Sequence, residues 1–244
     1  MNIIKVHTTP STNAFVKELM ATNKLLSDSI VWAEHQTKGK GQMGNVWQTE
    51  SGKNLTFSVL VNDLGIQLKD NFVLNMAISI LIKEFLLGLN LKQIHIKWPN
   101  DILADKHKIC GILIENICQQ QQIKKTVIGI GINVNQQNFK NLPQASSLSL
   151  KTNQVFDLEK LLHTFVETFE NRFYTLLQQP KKVLQQAYET HLFKKDKVAT
   201  FQLQEEQLKT GIIKGVDHSG HLKVIFEDES VAQTFDLKEI KLLY

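Results

Sequence analysis

The sequence predicts an α+β chain in which a mixed sheet flanked by helices is followed by a small C-terminal β-barrel. Three observations predict it. Strand-like and helix-like segments alternate from Ile3 to about Gln178. Two runs, Ile109 to Cys118 and Thr126 to Val134, are almost wholly apolar, as strands buried on both faces are. From Lys197 onward the pattern changes to short alternating strands with turn signals at Asp217-His218-Ser219-Gly220 and Glu227-Asp228-Glu229. The boundary falls near His191 to Asp196, giving domains of residues 1–192 and 193–244.

In chain order, Ile3 to His7 reads as a strand, and Ser11-Thr12-Asn13 opens a helix carrying Phe15, Leu19 and Met20 at helical spacing. A strand follows at Ile30 to Glu34. Thr37 to Gly52 holds four of the twelve glycines and no apolar periodicity, so it reads as a long loop. Leu55 to Val59 alternates as a half-buried strand. Asn71 to Leu87 is an apolar helix, with Gly88 suited to the position just past its end. Ile94 to Trp98 is a further strand, and Gln119 to Gln122 a hairpin tip between the two apolar strands. Asp157 to Gln178 places Leu158, Leu161, Leu162, Phe165, Phe169 and Phe173 on one helical stripe, which Pro180 ends.

Composition narrows the chemistry. Of 244 residues, 28 are basic and 24 acidic, a net charge of +4, and Arg172 is the one arginine. A guanidinium clamp on phosphate or carboxylate is therefore excluded from every motif, and anion binding must rely on Lys, backbone N–H groups and amides. The basic residues are scattered, which argues against a nucleic-acid groove. The longest apolar stretch, around Ile78 to Ile82, is broken by Lys83 and Glu84, so no membrane span is expected. Residues 1–5 lack signal-peptide features. Cys110 and Cys118 lie on one strand, ~26 Å apart if extended, and read as reduced thiols of a cytoplasmic protein. The eight histidines form no metal-ligand pattern.

Four segments could carry chemistry. Gly39-Lys40-Gly41-Gln42-Met43-Gly44, with Asn45 and Trp47 beyond, can bring backbone N–H groups close to an anion. It is neither a Walker A loop nor a dinucleotide fingerprint, and by itself it reads more readily as a surface turn than as a ligand cradle, with Trp47 beside it shifting the balance a little toward a ligand. Lys97-Trp98-Pro99-Asn100-Asp101 places an amide and a carboxylate at a strand end, suited to Mg²⁺ or to an ordinary turn. Lys106-His107-Lys108 lies at the turn that follows. Gly129-Ile130-Gly131-Ile132-Asn133 puts two glycines on a central strand, which marks close approach by another group, and a buried amide that could read adenine or satisfy the core.

The order and spacing of these segments carry more than any one alone. Ser11-Thr12-Asn13, Gln36, Gly39-x-Gly41-x-x-Gly44 with Trp47, Lys97-Trp98-Pro99-Asn100-Asp101, Lys108-x-x-Gly111-Ile112-Leu113-Ile114-Glu115 and Gly129-x-Gly131-Ile132-Asn133 together resemble biotin protein ligase. The resemblance implies a class II synthetase-like catalytic domain with an SH3-like C-terminal barrel. It implies ATP and Mg²⁺-dependent activation of biotin as biotinyl-5′-AMP, then transfer to a lysine of a biotin carboxyl carrier domain, with a homodimer permitted. Lys108 and Asp101 would be catalytic, Asp101 either holding Mg²⁺ or acting on the carrier lysine. Biotin would lie among Ser11, Thr12, Asn13, Gln36, Gly39, Lys40, Gly41, Gln42, Lys108 and Gly111. The nucleotide would meet Lys40, Gln42, Met43, Gly44, Asn45, Trp47, Asn100 and Asn133. Relatives commonly show Gly-Arg-Gly-Arg in the glycine loop, where this chain has Lys40 and Gln42. With the first strand at Ile3, no N-terminal helix-turn-helix domain is expected. A lipoate or octanoate ligase or transferase of the same superfamily is the competing reading.

Overall fold

Residue parity along the strands decides which groups meet on each face of the larger sheet. The computed structural model describes residues 1–25, 28–140 and 142–244. Strand β1 (Asn2–Thr9) leads through helix α1 (Thr12–Ala21) into β2 (Ser29–Gln36), and β1 and β2 pair in parallel, so α1 is a crossover helix. Then come β3 (Leu55–Asn62), α2 (Phe72–Gly88), β4 (Ile94–Lys97), β5 (Asp101–Ala104), β6 (His107–Gln119) and β7 (Gln122–Ile132). The sheet order is β1-β2-β3-β7-β6-β5-β4, and all pairs but the first are antiparallel. The two apolar runs read as central strands are thus β6 and β7, with β7 in the middle.

Ile30, Trp32, Val59, Val61, Ile128 and Ile130 face one side, against α2 and α4 (Leu158–Leu177). There Phe165 packs edge-on against Phe57 at 4.8 Å and against Phe85 at 5.5 Å. A side chain of this size, fully buried, is worth ~1.5–3 kcal/mol. The intervening residues Val31, Leu60 and Val127 face the other side, against Val16 of α1 and Leu25. This second cluster is small and leaves much of that face uncovered by helix. Ser58, Gly129 and Gly131 share the parity of Leu60 and Val127, so they open onto it.

Several sequence expectations change. Gly88 lies within the last turn of α2, and the left-handed residue beyond the helix is Asn90 (φ 62°), whose N–H donates to the Leu87 carbonyl. Strand β5, only four residues long, and α3 (Leu148–Thr152) are too short to show periodicity. Pro180 ends one helix and also caps α5 (Lys181–Thr190), which buries Leu184 and Tyr188. The Gln119–Gln122 tip is as expected, with Gln120 and Gln121 both at positive φ, as a two-residue hairpin turn requires.

The C-terminal sheet is wholly antiparallel, built from β8 (Val198–Leu203), β9 (Leu208–Val216), β10 (Leu222–Phe226), β11 (Gln233–Phe235) and β12 (Ile240–Leu243), in the order β11-β10-β9-β8-β12. It is fastened to the larger sheet at several points. Trp98 Nε1 donates to the Gly220 carbonyl at 2.8 Å. Beyond β12, the Tyr244 carbonyl accepts from Gln144 Nε2 at 2.6 Å while its ring packs on Phe193. These attachments bring the end of β12 beside the C-terminal end of β4.

Candidate active site

One end of the site grows from the start of α1. Ser11 is the N-cap residue, yet its side chain makes no capping bond. Gln36 does that work instead: its Oε1 accepts from the Thr12 N–H at 2.8 Å and from the Thr12 hydroxyl at 3.1 Å. Ser11 Oγ and Gln36 Nε2 are thereby left for a ligand. Asn13 is held from both sides. Buried Ser58 reaches its Oδ1 at 2.6 Å and Thr12 Oγ1 at 2.7 Å, and Asn13 Nδ2 donates to Glu115 Oε2 at 2.7 Å. Burial pushes the Glu115 carboxyl up, but hydrogen bonds from Lys17 and Asn13 outweigh it and leave it below the usual range. Gly129 accommodates this network, since a Cβ there would lie 2.4 Å from Asn13 Oδ1. The pocket end is lined by neutral donors and acceptors.

Lys108 and Asp101 meet at the centre, 2.6 Å apart. Their meeting depends on a β-bulge. In a regular strand Lys108 and Gly111 would face opposite sides, but the β5–β6 register shifts between Ile102 and Leu103, so Ile109 is extra and Lys108 turns onto the face of Gly111. A Cβ at Gly111 would sit 3.4 Å from Lys108 Cε. Lys97, opposite Asp101 in the β4–β5 pairing, lies 3.5 Å from its other oxygen. Lys108 is not on the turn itself, as its sequence context suggests, but one residue into β6, where its N–H and C=O pair with Gln144 and Ser146.

Asp101 is the one carboxylate among the described residues that line the cavity. Both its oxygens face ammoniums, and among the described residues no group of three His, Cys, Asp or Glu side chains could hold a metal ion. Asp101 alone therefore makes no all-protein metal cage, and a Mg²⁺ here would take its other oxygens from substrate phosphates and water.

The glycine loop is more ordered than its composition suggests. Lys40 pairs with Val46, Gly41 N–H donates to the Asn45 carbonyl and Trp47 N–H to that of Gly39, making a small hairpin with Gln42–Gly44 at its tip. A Cβ at Gly39 would lie 2.3 Å from the Trp47 carbonyl. Trp47 folds onto the paired glycines Gly111 and Gly131, with Lys108 Nζ 5.3 Å from its ring centre. Two buried polar atoms here, the donor Trp47 Nε1 and the acceptor Gln42 Oε1, have no hydrogen-bond partner among the described residues. Both residues line one cavity, and buried orphan groups of opposite type are what a polar ligand would satisfy.

The cavity, about 370 Å³, is lined by Ser11, Thr12, Asn13, Gln36, Lys40, Gly41, Gln42, Met43, Asn45, Trp47, Asn100, Asp101, Lys108 and Gly111, so most of the expected residues converge. Gly39 supports it from behind and Gly44 lies outside its lining. Asn100 donates its amide N–H to the Ile112 carbonyl at 2.6 Å and so also pins the β4–β5 corner. Asn133 lines an adjoining apolar cavity with Trp47, Lys108, Phe139, Ala145 and Tyr244, its Nδ2 donating to the Ser146 carbonyl at 3.0 Å. Sequence reasoning gives no role to Lys97, Ser58, Lys238 or Tyr244. Only Lys97 carries a signal, its place in the motif.

A seven-stranded mixed sheet with a glycine hairpin, a lysine–carboxylate centre and a C-terminal antiparallel sheet defines the class of biotin and lipoate ligases. Residues 6–133 match the Biotin/lipoate A/B protein ligase family, and the chain belongs to it. Its fold is that of a biotin protein ligase from Aquifex aeolicus solved in complex with biotin and ATP, with a TM-score of 0.78 and 23% identity over 99% of this chain and 98% of that one. The bifunctional ligase/repressor BirA of Bacillus spizizenii is 32% identical over 180 residues, 69% of this chain and 54% of the relative. Biotin–protein ligase 2 of Arabidopsis thaliana is 28% identical over 207 residues, 82% of this chain and 63% of the relative. The chain thus spans about half the length of the first of these relatives and somewhat more of the second.

Proposed function

We propose that this chain is an ATP-dependent biotin protein ligase. It joins biotin to ATP as biotinyl-5′-AMP and then passes the biotinyl group to a lysine of a biotin carboxyl carrier domain. The observation that carries this reading is the position of Lys108. It stands where a neutral polar pocket (Ser11, Thr12, Gln36) meets an aromatic, amide-bearing cavity (Trp47, Asn133). A ureido ring needs paired donors and acceptors without charge, which the first supplies. A base can lie against the second.

In the first step a carboxylate oxygen attacks the α-phosphorus, and the bond to the β-phosphate oxygen breaks, releasing pyrophosphate with its electron pair. Two anions must approach. Lys108, swinging from Asp101 toward them, offsets their repulsion and the charge growing on phosphorus. In the second step the carrier amine attacks the acyl carbon and AMP leaves. Asp101, then relieved of Lys108, accepts the proton that the amine loses. The glycine hairpin covers the anhydride and keeps water from it. Mg²⁺ would enter with the triphosphate, and no residue of this chain is assigned to it. Use of ATP and the free thiols of Cys110 and Cys118 fit a cytoplasmic setting.

The test is ATP–pyrophosphate exchange with biotin, followed by mass measurement of a carrier domain incubated with biotin and Mg-ATP. Biotin-dependent exchange and one added biotinyl group are expected, with exchange reduced at least a hundredfold in Lys108→Ala. Exchange with lipoate and none with biotin would replace this reading with the lipoate one.

A further inference from the structure

Five charged residues line the main cavity: Lys40, Lys97, Lys108, Lys238 and Asp101. Lys97 and Lys108 share the Asp101 carboxylate, so that trio offers a single net positive charge. A nucleoside triphosphate is a polyanion and needs more. Lys40 and Lys238 form no ion pair with any described carboxylate, and they stand on different walls, Lys40 on the glycine hairpin and Lys238 on the turn between β11 and β12. The two loops face each other: Gln42 of one and Leu237 of the other both line this cavity and the groove beside it.

The β11–β12 turn is built to hold Lys238 in place. Asp236 Oδ1 accepts from the Leu237 N–H at 2.7 Å, Glu239 Oε2 accepts from the Asp236 N–H at 2.7 Å, and the Glu239 N–H donates to the Asp236 carbonyl. The two carboxylates of this turn are thus directed onto its own backbone. Lys238 itself has φ 73°, a left-handed conformation that glycine adopts freely and lysine does not. The chain carries a long cation at a position where the backbone alone favours glycine.

We infer that Lys238 is a phosphate-binding residue of the site, supplying from the C-terminal sheet the second cation that the glycine hairpin lacks at Gln42. Its target is the β,γ-diphosphate of ATP, which leaves as pyrophosphate, because Lys108 already serves the carboxylate and α-phosphate. This inference rests on the ligase reading above. It gives the C-terminal sheet a direct part in nucleotide binding.

The experiment compares wild type, Lys238→Ala, Lys238→Gly and Lys238→Arg in biotin-dependent exchange, with AMP as a competitive inhibitor and thermal melting alongside. An exposed ammonium on a phosphate predicts a rise of about threefold to tenfold in the KM for ATP for the alanine and glycine variants. Lys238→Arg should restore it. The KM for biotin and the inhibition constant of AMP should not move, and raising ionic strength should narrow the difference from wild type. Lys238→Gly should also melt at or above the wild-type temperature, which separates lost binding from lost folding. Unchanged ATP KM in both variants would overturn the role of Lys238 while leaving the ligase reading intact, and so would an equal rise for AMP. Absence of exchange in the wild type would overturn that reading and this inference together.

Discussion

Gly131 lies directly beneath the indole of Trp47, so closely that a Cβ on it would stand 2.4 Å from Cε2. Gly111, its partner across the β6–β7 pairing, would come within 3.0 Å of the same ring. The two glycines make a flat floor because any side chain would lift the tryptophan. Gly131→Ala should therefore displace Trp47, raise the KM for ATP strongly and shift the tryptophan emission, with Gly111→Ala a milder version. Gly129→Ala should act on biotin instead, because its Cβ meets Asn13. Steady-state exchange with each substrate varied in turn checks the split, and equal effects of Gly129→Ala and Gly131→Ala on both substrates would refute it.

Ser58 has one proton and two oxygen neighbours, Asn13 Oδ1 and Thr12 Oγ1. An amide oxygen can only accept, so the Ser58 proton goes to Asn13, and the single Thr12 hydroxyl proton is shared between Ser58 Oγ and Gln36 Oε1. Ser58→Ala leaves Asn13 Oδ1 without its donor in a buried place, a loss of about 1–3 kcal/mol. The KM for biotin should rise with that of ATP unchanged. A lowered melting temperature with normal biotin KM would make Ser58 merely structural.

These relationships show what the sequence could and could not reveal. The segments that converge were readable because each is a compact motif, and the central placing of β6 and β7 followed from their unbroken apolar character. Pairing geometry was not readable. Lys97 opposes Asp101 only because a four-residue β5 follows the Trp98-Pro99-Asn100 corner, and four residues show no period. Lys108 reaches Asp101 only because Ile109 is a bulge, and a bulge inverts the parity from which faces are inferred. The glycines of β7 announced a close approach without naming Trp47 and Asn13. Lys238 and Tyr244 reach the site through the packing of a separate sheet, which leaves no local pattern.

Lys40 tests the scarcity of arginine. Its backbone pairs with Val46, so its side chain can change without unmaking the hairpin. Lys40→Arg should be tolerated, and Lys40→Ala should weaken ATP or adenylate retention by about threefold to tenfold, the range for an exposed charge on an anion. Adenylate release from the enzyme, followed as biotinyl-5′-AMP in the filtrate, gives the reading. No effect of Lys40→Ala would mean that the hairpin grips through backbone N–H groups alone.

All three tyrosines hold their protons above the ordinary range. Burial raises Tyr188, and burial with the Asp28 carboxylate, which accepts from its hydroxyl at 2.6 Å, raises Tyr174. Tyr244 is pushed up to about 12, first by burial and then by the negative charge of Asp101. In the unfolded chain each would ionise near pH ~10. The folded state thus keeps protons that the unfolded state loses, so this contribution is intact below pH ~10 and is lost as pH rises through the folded values. Absorbance titration of tyrosinate should show no step near pH ~10, and stability should fall from there upward. The first ionisation, near 12, should belong to Tyr244 and vanish in Tyr244→Phe. Asp101→Asn should move it to lower pH, because it removes the charge that opposes a tyrosinate at the edge of the site. A full tyrosinate step near pH ~10 in the wild type, lost in Tyr244→Phe, would mean that Tyr244 faces solvent rather than the wall of the nucleotide cavity.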